Sequence, residues 1–204
     1  NYRSRLLLNK FREHLQPFLD KTGVLFSSLG LSPNTLSLIG FIITIISSII
    51  FGINSLQLDP ILNFSAIGSI ILLTGAFFDV IDGSVAKITK TTSRKGSFLD
   101  STLDKISETI IFLGIAIGEL ANPILCLVAV SSSLLVSYTR SRAETLGIDL
   151  SGVGFGERAE RILILAVMGL LPFSHSLEYG VIIVIGISII TVIQRIYKTL
   201  KILE

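Results

Sequence analysis

Residues 33–54 read PNTLSLIGFIITIISSIIFGIN, a run with no charged side chain. About 20 mostly apolar residues in a helix cross the hydrocarbon core of a bilayer, so this run predicts a membrane span. No small-residue cleavage site follows it and further apolar runs do, which argues against a signal peptide. Working outward, the next runs are Pro60–Phe78, Phe98–Gly118, Ala121–Tyr138, Ile162–Phe173 and Tyr179–Ile193. The fifth spans only if its helix starts near Glu157. The expected fold is an all-α integral membrane protein with six transmembrane helices, a single domain over residues 1–204 whose bundle occupies 33–204.

The composition agrees. Of 204 residues, 50% are hydrophobic and 16% charged, against about 25% charged in soluble domains. The mean hydropathy is +0.76. A soluble globule, a disordered chain and a disulfide scaffold are excluded, the last because Cys126 is the only cysteine. A net charge of +2 gives no reason to expect nucleic acid as a partner.

The basic residues test the span count. With a cytoplasmic N-terminus and six spans, all 17 Lys and Arg fall on the cytoplasmic side. The opposite side receives only Asp59, Glu119 and Glu178 among charges. That is the positive-inside distribution, and an odd number of spans would break it. The expected localisation is therefore the cell membrane, multi-pass, with the 87–97 and 139–158 loops facing the cytoplasm. Before the first span, Leu7, Leu8, Phe11, Leu15 and Phe18 recur at helical spacing between Arg3, Arg5, Lys10 and Arg12. Residues 1–30 are thus expected to form an amphipathic segment at the membrane surface.

Four aspartates lie where a bilayer tolerates them poorly. Asp79 and Asp82 are three apart at the end of the second run; Asp100 and Asp104 are four apart at the start of the third. Each pair shares a helix face. The segment from Lys87 to Phe98 is short and polar, so the two helices are antiparallel neighbours with both pairs near the cytoplasmic end. Four carboxylates together need protons or cations. Oxygen donors without His or Cys suit Mg²⁺, Mn²⁺ or Ca²⁺ rather than zinc. Buried acids also mark ion pathways, which makes a cation transporter the rival reading. Gly83 and Gly96, beside the aspartates, favour a site where a ligand approaches the backbone.

From Asp79 the sequence reads DVIDGSVAK, then eight residues, then GSFLDSTLD. This resembles the CDP-alcohol phosphotransferase signature, D-x2-D-G-x2-A-R-x8-G-x3-D-x3-D. Asp79, Asp82, Gly83, Ala86, Gly96, Asp100 and Asp104 match it, and Lys87 stands where the family has Arg, keeping the charge but losing the guanidinium fork. The resemblance implies a membrane enzyme of phospholipid biosynthesis that moves the phospho-lipid part of a CDP-lipid onto an alcohol and releases CMP. It implies that Asp79, Asp82, Asp100 and Asp104 hold Mg²⁺ or Mn²⁺, as two ions, with Asp104 the general base for the acceptor hydroxyl. It places Gly83, Lys87 and Ser93 on the CDP-lipid, with Asn34 and Thr35 at the nucleotide end of the first span. It also implies a homodimer among membrane lipids.

The acceptor must be read elsewhere. The fourth run ends SYTRSRAE and the fifth begins GERAER. Arginine rather than lysine fills 140, 142, 158 and 161, and arginine grips phosphate in a fork. Arg158 and Arg161 also occupy a helix's first turns, where the macrodipole disfavours cations. These stretches resemble the archaetidylinositol-phosphate and phosphatidylinositol-phosphate synthase branch of the family. The resemblance implies that Arg140, Arg142 and Arg161, joined by Arg195 of the last span, bind the acceptor's phosphate; Arg158 is added on the residues' own pattern. The expected reaction is transfer from CDP-archaeol to inositol 1-phosphate; the alternative is another acceptor, glycerol 3-phosphate or serine.

Overall fold

In the computed structural model the described residues are 17–56, 63–89, 91 and 93–204. Among them every regular element is helical. After a helical stretch at 17–28 come α1 (Pro33–Gly52), a 3₁₀ turn (Ile53–Leu56), α2 (Phe64–Thr89), α3 (Arg94–Ile117), α4 (Pro123–Thr145), α5 (Arg158–Leu170) and α6 (Ser176–Leu203). The expected amphipathic pattern over 3–18 falls almost wholly outside the described residues.

Local chemistry sets the boundaries. Pro33 begins α1, where its missing N–H costs nothing, and the Ser32 hydroxyl accepts from Thr35 N at 3.2 Å. Asn63 Oδ1 accepts from Ala66 N at 3.0 Å to open α2, and Asn122 Oδ1 accepts from Ile124 N at 2.8 Å before Pro123 to open α4. Helix α4 ends in a Schellman turn: Ile148 N donates to Ala143 O and Gly147 N to Glu144 O, both at 3.0 Å. Gly147 takes the left-handed φ of 75° that this turn needs. Ile148, Ala143 and Leu150 then close a small apolar cluster under the loop.

Four helical segments are long and apolar enough to cross a membrane: Pro33–Leu56, Phe64–Thr89, Pro123–Thr145 and Ser176–Leu203. Their outward faces carry Ile42, Ile70, Leu127 and Ile193, about half or more exposed, which only a lipid environment makes favourable. Helices α3 and α5 fall outside that description. Helix α3 carries Arg94, Lys95, Asp100, Asp104, Lys105 and Glu108 in its first 15 residues. Helix α5 has 13 residues, about 20 Å, against a hydrocarbon core of about 30 Å. The second run also continues as helix beyond Phe78 to Thr89, so Asp79 and Asp82 lie within α2, in keeping with their shared helix face.

The described residues divide into two compact units, those within Asn1–Ile42 and Thr74–Asp104, and those within Ile43–Leu73 and Lys105–Glu204. The first has a core of Leu36, Ile81 and Val85, flanked by Phe26, Leu31 and Phe78. In the second, hydroxyls and small residues join the helices. Ser47 Oγ donates to Gly68 O at 2.7 Å, Ser48 Oγ to Ile110 O at 2.5 Å, and Ser65 Oγ to Gly169 O at 3.0 Å. Gly114 and Gly118 bring α3 so close that an added Cβ would overlap the carbonyl oxygens of Ser48 and Phe51. Small residues and side-chain hydroxyls do this work where lipid removes the hydrophobic drive for helix association. Gly114→Ala is therefore expected to lower Tm in detergent, at a cost of about 1–3 kcal/mol. Gly186→Ala, where an added methyl meets open space, should leave Tm unchanged or slightly raised.

Candidate metal centre

Helix α2 positions Asp79 and Asp82 one turn apart, and the link of a few residues to α3 returns the chain so that Asp100 faces them. One carboxylate oxygen from each of Asp79, Asp82 and Asp100 lies within 4.8 Å of the others. Asp82 is 7% exposed and accepts a short hydrogen bond from Ser37 Oγ of α1. Three anions this close repel one another unless cations or protons intervene. The donors are hard oxygens with no His or Cys among them, the set that suits a divalent Mg²⁺- or Mn²⁺-like ion. Asp104 is one turn further along α3, half-buried, and stands outside the three-carboxylate group.

The residues expected at the CDP-lipid divide by environment. Beside Gly83 an added Cβ would meet nothing within 4 Å, leaving open space next to Asp82. Around Gly96 the space is filled: an added Cβ would sit 3.1 Å from Ser93 Oγ and 3.2 Å from Asn34 Oδ1. Ser93 also caps α3 by accepting from Gly96 N at 3.0 Å. The structure thus gathers Asn34, Ser93 and Gly96. Thr35 bonds back to Ser32 at 2.8 Å within the α1 cap, and Lys87 is exposed in the last turn of α2.

In the other unit the five arginines fall into two groups. Arg140 and Arg142 line the end of α4, with Arg140 Nε 3.0 Å from Glu144 Oε1 and Arg142 Nη1 3.3 Å from Thr145 Oγ1. Arg158 opens α5. Arg161 and Arg195 are buried, 1% and 2% exposed. Arg195 donates from Nε to Val153 O at 3.0 Å and from Nη1 to Val136 O at 2.6 Å, with Nη2 3.6 Å from Glu157. Arg161 pairs with Glu108 of α3 and donates to Gly156 O. Asp149, in the intervening loop, accepts from Ser151 Oγ and Ser151 N, which holds its carboxyl below the ordinary range.

Sequence reasoning missed three of these side chains: Ser37, Glu108 and Thr191, whose hydroxyl accepts from Phe155 N at 3.2 Å and Gly156 N at 2.9 Å. Only Glu108 carried a signal, since it extends the four-residue spacing of Asp100 and Asp104.

An archaetidylinositol phosphate synthase of Pyrococcus horikoshii is 37% identical over 198 residues, covering 97% of this chain and 99% of its own. Two crystal structures of the phosphatidylinositol phosphate synthase of Mycobacterium tuberculosis share the fold. One has CDP-DAG bound, the other is in complex with manganese and citrate. Both have a TM-score of 0.73 and 24% identity over 89% of this chain, covering 92% and 88% of theirs respectively. The model of one family, CDP-alcohol phosphatidyltransferase, matches residues 10–194, and it is to this family of transferases that the chain belongs.

Proposed function

We propose that the protein transfers the phospho-lipid moiety of CDP-archaeol to inositol 1-phosphate, releasing CMP. The observation that carries this reading is the convergence of Asp79, Asp82 and Asp100 within a family of CDP-alcohol transferases. The choice of acceptor and lipid is supported by the similarity to the Pyrococcus horikoshii enzyme. The metal and the CDP-lipid class are supported by the manganese and CDP-DAG bound to the mycobacterial protein of like fold.

In this reading Asp79, Asp82, Asp100 and Asp104 hold two divalent ions. Divalent ions held there would neutralise diphosphate charge and stabilise the attacking and leaving oxygens of an in-line displacement. Asp104 takes the proton of the inositol hydroxyl as its oxygen bonds to the lipid-side phosphorus, while the bond from that phosphorus to the CMP oxygen breaks. Gly83, Lys87, Ser93, Asn34 and Thr35 bind the CDP part. Arg140, Arg142, Arg158, Arg161 and Arg195 bind the acceptor's phosphate. Helices α3 and α5 complete six spans, with Glu108 and Arg161 buried as a pair. The active site faces the cytoplasm, which the segregation of all 17 basic residues supports. The chain works as a homodimer.

The purified protein should release CMP from CDP-archaeol only when inositol 1-phosphate and a divalent cation are present. CMP release with glycerol 3-phosphate or serine and none with inositol 1-phosphate would overturn the acceptor. Unphosphorylated inositol should fail as acceptor. Loss of two charge-assisted hydrogen bonds, at about 1.5–3 kcal/mol each, costs roughly a hundredfold or more in affinity. Arg142→Ala should raise the KM for inositol 1-phosphate far more than that for the CDP-lipid.

Asp79→Asn, Asp82→Asn and Asp100→Asn should each lower kcat/KM by at least about a hundredfold, with partial recovery in excess Mg²⁺. Asp104→Asn should lose about 10²–10⁴-fold and resist that rescue, because added metal does not restore a base. Substantial activity of Asp104→Asn at saturating Mg²⁺ would remove its assignment as the base.

A further inference from the structure

Glu108 and Arg161 form a forked ion pair in the 43–73 and 105–204 unit. Arg161 Nε lies 2.5 Å from Glu108 Oε1 and Nη2 lies 2.8 Å from Oε2. The two residues are 2% and 1% exposed. A third bond runs from Arg161 Nη1 to Gly156 O. A guanidinium carries five N–H groups. These three bonds engage Nε and one N–H on each terminal nitrogen. One further N–H on each terminal nitrogen is not used by Glu108 or Gly156 and can donate to an anion.

Stability alone does not account for the pair. Taking two charges out of water costs about what their attraction returns, and a packed apolar pair of similar volume is commonly as stable or more so. Arg161 also lies in the first turn of α5, the positive end of the helix dipole, where a cation is disfavoured. Glu108 offsets that penalty and fixes the plane of the guanidinium in one orientation. The neighbouring backbone is fixed too: Gly156 N and Phe155 N donate to Thr191 Oγ1 at 2.9 and 3.2 Å, and Val153 O accepts from Arg195 Nε at 3.0 Å. Gly154, at a φ of 104°, lies against Thr191, where an added Cβ would overlap the threonine side chain. Two buried arginines and one threonine thus hold the last turn of the 146–157 loop to α3, α4 and α6.

We propose that Glu108 is a positioning residue for acceptor recognition: its forked ion pair holds Arg161 so that the remaining N–H groups receive the phosphate of the acceptor. This rests on the reading of Arg161 as an acceptor-phosphate residue. Glu108 touches neither substrate nor reacting atoms; it sets the direction of the group that does.

The test uses the full-length protein in detergent, with steady-state kinetics in which CDP-archaeol and inositol 1-phosphate are varied separately, and Tm measured for each variant. Glu108→Gln keeps the shape and removes the charge. It should raise the KM for inositol 1-phosphate about tenfold or more, with the CDP-lipid KM changed by less than about twofold. Glu108→Asp, which keeps the charge, should recover part of that loss, and it carries the test should Glu108→Gln fail to fold. In an Arg161→Ala background, Glu108→Gln should raise the acceptor KM no further, as two residues acting through one interaction require. The Glu108→Leu/Arg161→Leu pair should recover Tm without recovering the acceptor KM. A merely structural role predicts the reverse: lower Tm and kcat in the single variants with both KM values unchanged, and activity regained with Tm in the double variant. If Arg161→Ala raises the acceptor KM and Glu108→Gln and Glu108→Asp do not, the positioning role is overturned and the acceptor reading stands. If Arg161→Ala leaves the acceptor KM unchanged, the acceptor role of Arg161 is overturned and the positioning role goes with it.

Discussion

The mutual repulsion of Asp79, Asp82 and Asp100 is the constraint around which the chain is organised. Their oxygens lie within 4.8 Å of one another, and Asp82 is buried on a helix otherwise apolar enough to cross a bilayer. A carboxylate there is costly unless something positive or a strong donor faces it. Ser37 supplies one donor to Asp82. A divalent cation would supply the rest, and the same ion would polarise a diphosphate. The feature that makes the site expensive to fold is therefore the one that makes it chemically useful.

The second unit solves a different charge problem by pairing within the protein. Arg161 is matched by Glu108, and Arg195 by two backbone carbonyls with Glu157 close by. Both arginines are fully engaged on one side, and both fix the loop that leads into α5. In the proposed role, an arginine held this way would lose little side-chain entropy on binding an anion, which is how a preformed site gains affinity. Arg140 and Arg142 instead bond only locally, to Glu144 and Thr145 at the end of α4.

Much of this was legible in the sequence. Helices α1, α2, α4 and α6 follow from apolar length alone, because backbone satisfaction in lipid leaves a long helix as the solution. The aspartate cluster follows from three- and four-residue spacings on two helices joined by a short link. The end of α2 was not legible from hydropathy, since the aspartates lower the local average while remaining compatible with helix. Helices α3 and α5 were read as spans over Phe98–Gly118 and, with a start near Glu157, Ile162–Phe173. The helices form at Arg94–Ile117 and Arg158–Leu170, the latter with Glu157 at its cap position. The charge in the first turns of α3 and the shortness of α5 keep both outside the apolar-length description. The Glu108–Arg161 pair joins residues 53 apart in the chain, and no local pattern announces such a partner. Arg161 and Arg195 read as membrane-edge cations, yet packing buries them.

The most direct measurement is anomalous diffraction from crystals of the protein soaked with Mn²⁺. The account predicts a manganese peak coordinated by Asp79, Asp82 and Asp100, at about 2.0–2.6 Å from their oxygens as hard-cation sites require, and no such peak in Asp82→Asn crystals. Manganese bound elsewhere with these three carboxylates bare, or a peak that survives Asp82→Asn unchanged, would contradict it.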